Sequence, residues 1–275
     1  MAQIKLIDIF KLIGTFLTKN NLVGWLTMLS AIASAFFALK AYLLQKKRAK
    51  KDSACDLAKY YSNSVLKRSV LITNVFKHSK VHDFFRNAFP IDKISDFDKE
   101  ELSSFLSQKD LTEEDVKQKV RGIDPELILN VRMYASHQPT ERSLLFRDFT
   151  YKDSQTNEVK IINEPFLRED FMQEITDLLN ELEWFSMCCN YGIADEKLLY
   201  QSLHQTFISN VWMLYFFISV NNANNADKYY TNIIKLFRKW NKRVTKIKTK
   251  TLKKKQKLLE RANKIKDPIF TGGTI

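Results

Sequence analysis

Leu22 to Leu39 is a run of eighteen residues without a charge, and with Lys40 snorkelling its ammonium outward the apolar stretch continues to Leu44. A helix needs about 20 such residues to cross the hydrocarbon core of a bilayer, so residues 22–44 read as a transmembrane anchor. Trp25 and Tyr42 stand near its two ends, where interfacial aromatics belong, and the basic block of residues 45–51 (Lys46, Lys47, Arg48, Lys50, Lys51) follows at once. That block outweighs Lys5, Lys11 and Lys19, which are offset by Asp8, so the body of the chain is expected in the cytoplasm and the N-terminus outside. Ala33-Ser34-Ala35 has the small-residue form of a cleavage site, but it lies inside the apolar run, so the anchor is expected to stay uncleaved. Ser30, Ser34 and Ala38 repeat at i, i+4, a small-residue stripe through which two spans approach closely, and a homo-oligomer is expected. Residues 1–21 carry Lys5, Asp8 and Lys11 among Ile4, Leu6, Ile7, Ile9, Phe10 and Leu12, and read as an interfacial amphipathic segment; insertion as the first half of a two-span hairpin stays open.

The remainder is long enough for one sizeable core. Six glycines and five prolines against 20 phenylalanines and 10 tyrosines argue against glycine-loop phosphate enzymes and turn-rich β-sandwiches. Cys55, Cys188 and Cys189 make no paired framework and are expected as reduced thiols. The fold class is therefore mainly α: an N-terminal transmembrane helix, a cytoplasmic helical domain with room for one small β-hairpin, and a long basic C-terminal helix.

Charge divides the body. Residues 52–234 hold 20 Lys and Arg against 28 Asp and Glu, whereas residues 235–266 hold 15 basic residues and one acid. We read 52–234 as an acidic helical domain and 235–275 as a basic C-terminal helix and tail. Within the domain, Cys55, Leu57, Ala58, Tyr61, Val65, Leu66, Val70, Leu71, Val75 and Phe76 recur at helical spacing, predicting one amphipathic helix from Asp52 to about Phe89, stopped by Pro90. Asp98 to Gln108 is a short helix, and Thr112 with Asp115 forms a capping box opening another that ends near Gly122. Asp124-Pro125 supplies an N-cap and first-turn pair for a helix burying Leu127, Ile128, Val131 and Tyr134, closed by Pro139. Phe149 and Tyr151, then Val159 and Ile161, alternate as a hairpin within 144–163. From Glu164 the helical period returns up to Cys189; Gly192 and Asp195 mark a tight turn, and residues 207–220 form the central core helix, followed by a turn at 221–225.

Leu182-Glu183-Trp184-Phe185, the turn Tyr191-Gly192-Ile193 before Asp195-Glu196, the aromatic run from Trp212 to Ile218, and then Phe237 and Trp240 resemble the C-terminal part of an uncharacterised bacterial family of membrane-anchored helical proteins, a domain of unknown function. The resemblance covers about residues 168–240. It implies a single span with a helical cytoplasmic domain at a bacterial inner membrane, with Glu183, Trp184, Gly192 and Asp195 as its helix-turn motif, and it implies no activity.

Candidate chemistry is sparse. His78 and His82 stand at i, i+4, a metal-ligand spacing on a helix, but no partner ligand is evident, and no metal, cofactor or small-molecule substrate is expected. Glu181, Glu183, Asp195 and Glu196 bracket the turn as carboxylates capable of acid–base work, although capping explains the last two; a hydrolase would need Glu183 and His204 in one pocket. Cys188 and Cys189 end a buried helix as small hydrophobes. No catalytic residue is assigned and no enzyme is expected. The basic helix is different: Lys242, Arg243, Lys246, Lys250, Lys253, Lys254, Lys255 and Lys257 are positioned to bind a polyanion, whether a nucleic acid or ribonucleoprotein, the anionic lipid of the membrane, or the acidic domain of the same or another copy of the chain. The expected function is that of a non-enzymatic, membrane-anchored interaction protein. One version is the membrane-damaging effector of a phage-defence system restrained by a nucleic acid or ribonucleoprotein; the alternative is a scaffold binding anionic lipid at the inner leaflet.

Overall fold

The computed structural model describes residues 22–135, 150–152, 159–161, 164–222 and 228–266. The interfacial segment 1–21, Pro139 and the tail beyond residue 266 lie outside the described residues, as do parts of the expected hairpin and of the turn at 221–225. The chain divides into two units, Met1–Asp52 and Ser53–Ile275.

Helix α1, Leu22–Tyr60, carries the uncharged run. It is long and apolar enough to cross a membrane, and Leu26, Leu29, Ile32, Phe36, Phe37 and Leu39 along it are all exposed. Leucine and alanine favour the helix, and no proline interrupts it. Ser30, Ser34 and Ala38 lie exposed along it.

The second unit is a helical bundle with one strand pair. The single helix expected from Asp52 to Phe89 is divided. After Tyr60 the chain makes a π-helical turn, Tyr61–Val65, before α2, Leu66–His78. An α-helix keeps a face by alternating steps of three and four, whereas a π turn holds residues four apart in line. Leu57, Tyr61, Val65 and Ser69 are accordingly all buried, while Val70 and Cys55, expected on the apolar face, are exposed. At Lys80 the backbone takes a left-handed conformation, φ 62°, and a new helix, α3, Val81–Ala88, sets off. Phe89 is extended before Pro90, as the proline ring requires.

Helices α4, Lys99–Ser107, and α5, Glu113–Arg121, begin at side-chain caps: Asp98 accepts from the Glu101 N–H, and Thr112 and Asp115 complete a reciprocal box. Helix α6, Pro125–Ala135, starts with the Glu126 N–H donating to Asp124 at 2.9 Å. It buries Ile128 and Val131, but Tyr134 is exposed because it falls on the outer face. Thr150–Lys152 (β1) and Val159–Ile161 (β2) pair antiparallel, Thr150 opposite Ile161.

The 27-residue α7, Glu164–Asn190, is the spine, packed against α2, α6 and the C-terminal helix α10, Thr231–Lys266. Two residues after α7, Gly192 takes φ 66°. The Ile193 N–H bonds the Cys188 carbonyl at 3.0 Å and Gly192 N–H that of Cys189, a Schellman end for which the absent Cβ of glycine is required. Helix α8, Glu196–Met213, follows from Asp195 as N-cap. The expected helix at 207–220 is broken at Leu214, after which α9, Tyr215–Asn222, resumes. Phe207, Val211, Met213, Leu214, Tyr215, Phe216 and Ile218 fill the centre of the core, which explains why this run is apolar all round.

Candidate polyanion-binding helix

Helix α10 begins inside the core and ends outside it. Ile233, Ile234, Leu236, Phe237 and Trp240 are buried, and Val244 packs at the margin. A domain boundary between residues 234 and 235 would cut through this buried segment: the charge changes sign at Lys235, but the packing ends only near Val244. Three anchors fix the helix. Its N-terminus is received by Glu183 of α7, whose Oε1 accepts from Asn232 N–H at 3.1 Å and Asn232 Nδ2 at 2.8 Å, while Oε2 accepts from Ile233 N–H at 2.9 Å. Those amides are the unpaired donors of a first helical turn, and a carboxylate there also meets the positive end of the helix dipole. Tyr230, at φ 57°, makes the turn into the helix. Further along, Glu196 accepts from Lys239 Nζ at 2.9 Å, Trp240 Nε1 at 2.6 Å and Arg243 Nη1 at 2.7 Å. Arg238 reaches the other way, to the Ser95 carbonyl and to Asp96.

Of the helix-turn motif, Glu183 is thus a cap for α10, Gly192 and Asp195 build the α7–α8 turn, and Trp184 stays half-exposed with its ring 4.8 Å from that of Tyr60. Sequence reasoning missed the bridging role of Glu196, because nothing local in Asp195-Glu196 shows that a helix 44 residues later returns to it.

From residue 245 to residue 261 every side chain of α10 is exposed. Lys246, Lys250, Lys253 and Lys257 recur on one face, and Ile247 with Leu258 and Leu252 with Leu259 lie on the opposite arc, with Lys248 and Lys255 between them. The four apolar side chains are 56%, 64%, 62% and 55% exposed. Lys242, Lys246, Lys250, Lys253, Lys254, Lys255 and Lys257 are all exposed, but Arg243 is engaged: besides its bond to Glu196, its guanidinium sits 3.8 Å over the Tyr200 ring. Phe237 and Trp240, the aromatics at the start of the basic segment, are held in the core and form no stacking surface for bases.

The other candidates separate. His78 ends α2 and His82 belongs to α3 beyond the Lys80 reversal, so the i, i+4 relation does not lie on one helix. Among the described residues no group of three or more His, Cys, Asp or Glu is placed around a common metal position. Glu183 is engaged by α10, whereas His204 Nδ1 meets the Tyr200 carbonyl at 2.7 Å and its ring stacks on that of Tyr200, so the two are held by different partners. Cys189 is buried, and burial, with the Glu196 carboxylate adding to it, pushes its thiol up to about 12. A thiol that stays protonated at neutral pH is a poor nucleophile.

Residues 126–240 match DUF4760, a domain of unknown function. The matched stretch runs from the first turn of α6 to the last fully buried residue of α10, and it includes neither the apolar run of α1 nor the exposed part of α10. No curated protein and no solved structure matches the chain.

Proposed function

We propose that this chain is a non-enzymatic, single-pass protein of the bacterial inner membrane whose cytoplasmic body carries an amphipathic basic helix that binds the anionic surface of the inner leaflet. The observation that carries the reading is the exposed half of α10, where Ile247, Leu252, Leu258 and Leu259 stand bare among lysines. A helix meant only for water has no use for that arc, and a helix meant for nucleic acid gains more from aromatic stacking than from isolated leucines. An interfacial helix uses both parts: the apolar arc enters the headgroup region while lysines meet lipid phosphates, each worth about 1 kcal/mol near the surface. The span supports the same reading, since it brings the chain to a membrane, and the basic block after it favours a cytoplasmic body. Self-association of spans through Ser30, Ser34 and Ala38 belongs to this proposal as its oligomeric form.

The test uses residues 45–275, freed of the span, with vesicles of phosphatidylcholine alone or mixed with phosphatidylglycerol. Binding is expected only to the anionic vesicles, falling with salt, and reversal of Lys253, Lys254 and Lys255 to Glu is expected to weaken it by at least about a hundredfold, given about 1 kcal/mol for each charge removed and a further repulsion for each charge introduced. No difference between the vesicles, together with a nucleic-acid absorbance that salt and nuclease strip from the purified full chain, would overturn the lipid reading in favour of an effector held by nucleic acid.

A further inference from the structure

The body presents a cleft of about 620 Å³ where α3 and the turn after it meet α8 and the point at which α10 leaves the core. His82 and Arg86 come from α3, His204 from α8 and Lys248 from α10, and among the lining residues Asp92 supplies the one carboxylate. We propose that this cleft binds a phosphate group carried by an organic molecule, with Arg86 as its principal donor.

The behaviour of the other arginines makes Arg86 distinctive. In the described part of the body, Arg68 and Arg132 are held by the carboxylates of α7, Arg121 pairs with Glu114, Arg168 donates to the carbonyls of Arg121 and Ile123, and Arg238 and Arg243 hold α10 in place; Arg261 stands exposed near the far end of α10 and does not line the cleft. Arg86 is exposed at the cleft and, among the described residues, has no carboxylate or carbonyl bonded to it. A guanidinium presents a planar fork of donors suited to two phosphate oxygens at once, and an ammonium such as that of Lys248 adds a point charge from the facing element.

The imidazoles are already oriented. A carbonyl only accepts, so His204 Nδ1, 2.7 Å from the Tyr200 oxygen, carries the proton; Nε2 of the neutral ring is then an acceptor for a hydroxyl of the organic part of a ligand and donates to a phosphate oxygen only as imidazolium. His82 stands edge-on to the Trp212 ring at 5.2 Å, and that indole is fixed by donating Nε1–H to the Phe89 carbonyl at 2.8 Å. Trp212 and Ile208 give the cleft an apolar floor beside its cationic rim. A bare inorganic phosphate would fill a small part of this volume, whereas sites of several hundred Å³ that combine an apolar lining with a few placed polar groups suit an organic ligand. The same phosphate chemistry has two sources, a phospholipid headgroup and a soluble organic phosphate. The site lies on the folded body and stands apart from the lysine-rich stretch at 253–257.

The experiment compares the full chain in neutral detergent with Arg86→Gln and with the triple change Lys253, Lys254 and Lys255 to Gln. Calorimetric titration with phenyl phosphate at fixed ionic strength is the soluble arm; titration with mixed micelles containing phosphatidylglycerol is the lipid arm. Saturable binding in at least one arm is expected, weakened about tenfold or more by Arg86→Gln, with the thermal transition unchanged in that variant because the side chain is exposed. In the soluble arm the triple change is expected to weaken binding less than about threefold; in the lipid arm, where Lys253, Lys254 and Lys255 themselves meet headgroups, the loss from Arg86→Gln is read in the background of the triple change. Binding in the first arm identifies a soluble phosphate compound as the source, and binding in the second alone identifies a headgroup. Absence of saturable binding in both arms, equal weakening by the two variants in the soluble arm, or no loss from Arg86→Gln in the background of the triple change in the lipid arm overturns the proposal.

Discussion

Glu196 collects three donors from little more than one turn of α10, and one of them, the Trp240 indole N–H, belongs to a side chain that is wholly buried. The carboxylate is itself only 12% exposed. A buried donor left without its acceptor costs about 1–3 kcal/mol, whereas the ion pairs to the more exposed Lys239 and Arg243 each contribute little in water. Glu196→Ala should therefore destabilise the body by about 2 kcal/mol, most of it traceable to Trp240. Denaturation of the Trp240→Phe variant, alone and combined with Glu196→Ala, tests the attribution: the second change should cost clearly less once the indole N–H is gone. Equal costs in both backgrounds would place the effect with the ion pairs instead. The neighbouring Cys189, whose thiol is raised by the same burial, belongs to the same close-packed corner, and its chemistry is silenced by packing.

At the scale of elements, caps and turns decide where helices begin. Asp98 is the N-cap of α4, and the Glu101 N–H it accepts, followed by the Lys228 ammonium, holds its carboxyl below the usual carboxylate range. A carboxyl with a lower pKa folded than unfolded binds fewer protons in the native state, so its contribution is present above about pH 4 and is lost as pH falls through the folded value. Asp98→Ala should cost about 1 kcal/mol near neutrality, and Asp98→Asn, which retains a capping oxygen, should cost less. Both deficits should shrink in acid, where the wild-type carboxyl is protonated too; urea midpoints measured from neutral to strongly acidic pH check this, and a deficit constant across the range would contradict it. Caps of this kind were legible in the sequence: Thr112 with Asp115, Asp124 before Pro125, and Gly192 before Asp195 all stand where the spacing put them, because their chemistry acts within four residues. What was illegible is non-local or non-α. The π turn at Tyr61–Val65 moved Val70 outward, a left-handed residue at Lys80 parted His78 from His82, and Leu214 broke a run whose uniform apolarity hid the break. None of these leaves a periodic signal, since a face buried on all sides has no polar stripe to reveal its phase.

Across the whole molecule, charge is partitioned by what can be answered locally. Along one part-buried row of α7, Asp170, Glu174, Asp177 and Glu181 meet Arg68 and Arg132 from α2 and α6, so four of the body's carboxylates are answered within it by two arginines. Past Val244, α10 has no such partners among the described residues, and its lysines recur four apart, where like charges repel along a helix. The cleft at Arg86 was beyond the reach of sequence reasoning for a related cause: His82, His204 and Lys248 come from three helices, and no spacing along the chain announces their meeting. Helices gain most of their stability from tertiary packing, so the exposed half of α10 should open locally far more often than the buried half. Limited trypsin treatment of residues 45–275 in solution should consequently cut first between Lys246 and Lys257, leaving a fragment that still contains Trp240 and retains its cooperative unfolding, as mass spectrometry and thermal melting would show. Anionic vesicles should slow those cuts, because lysines seated at lipid phosphates on an inserted helix are withdrawn from the protease, while neutral vesicles should leave the rate unchanged. First cuts within residues 99–121 instead would mean that the body opens before the helix does, and the division of α10 into a core half and a surface half would be lost.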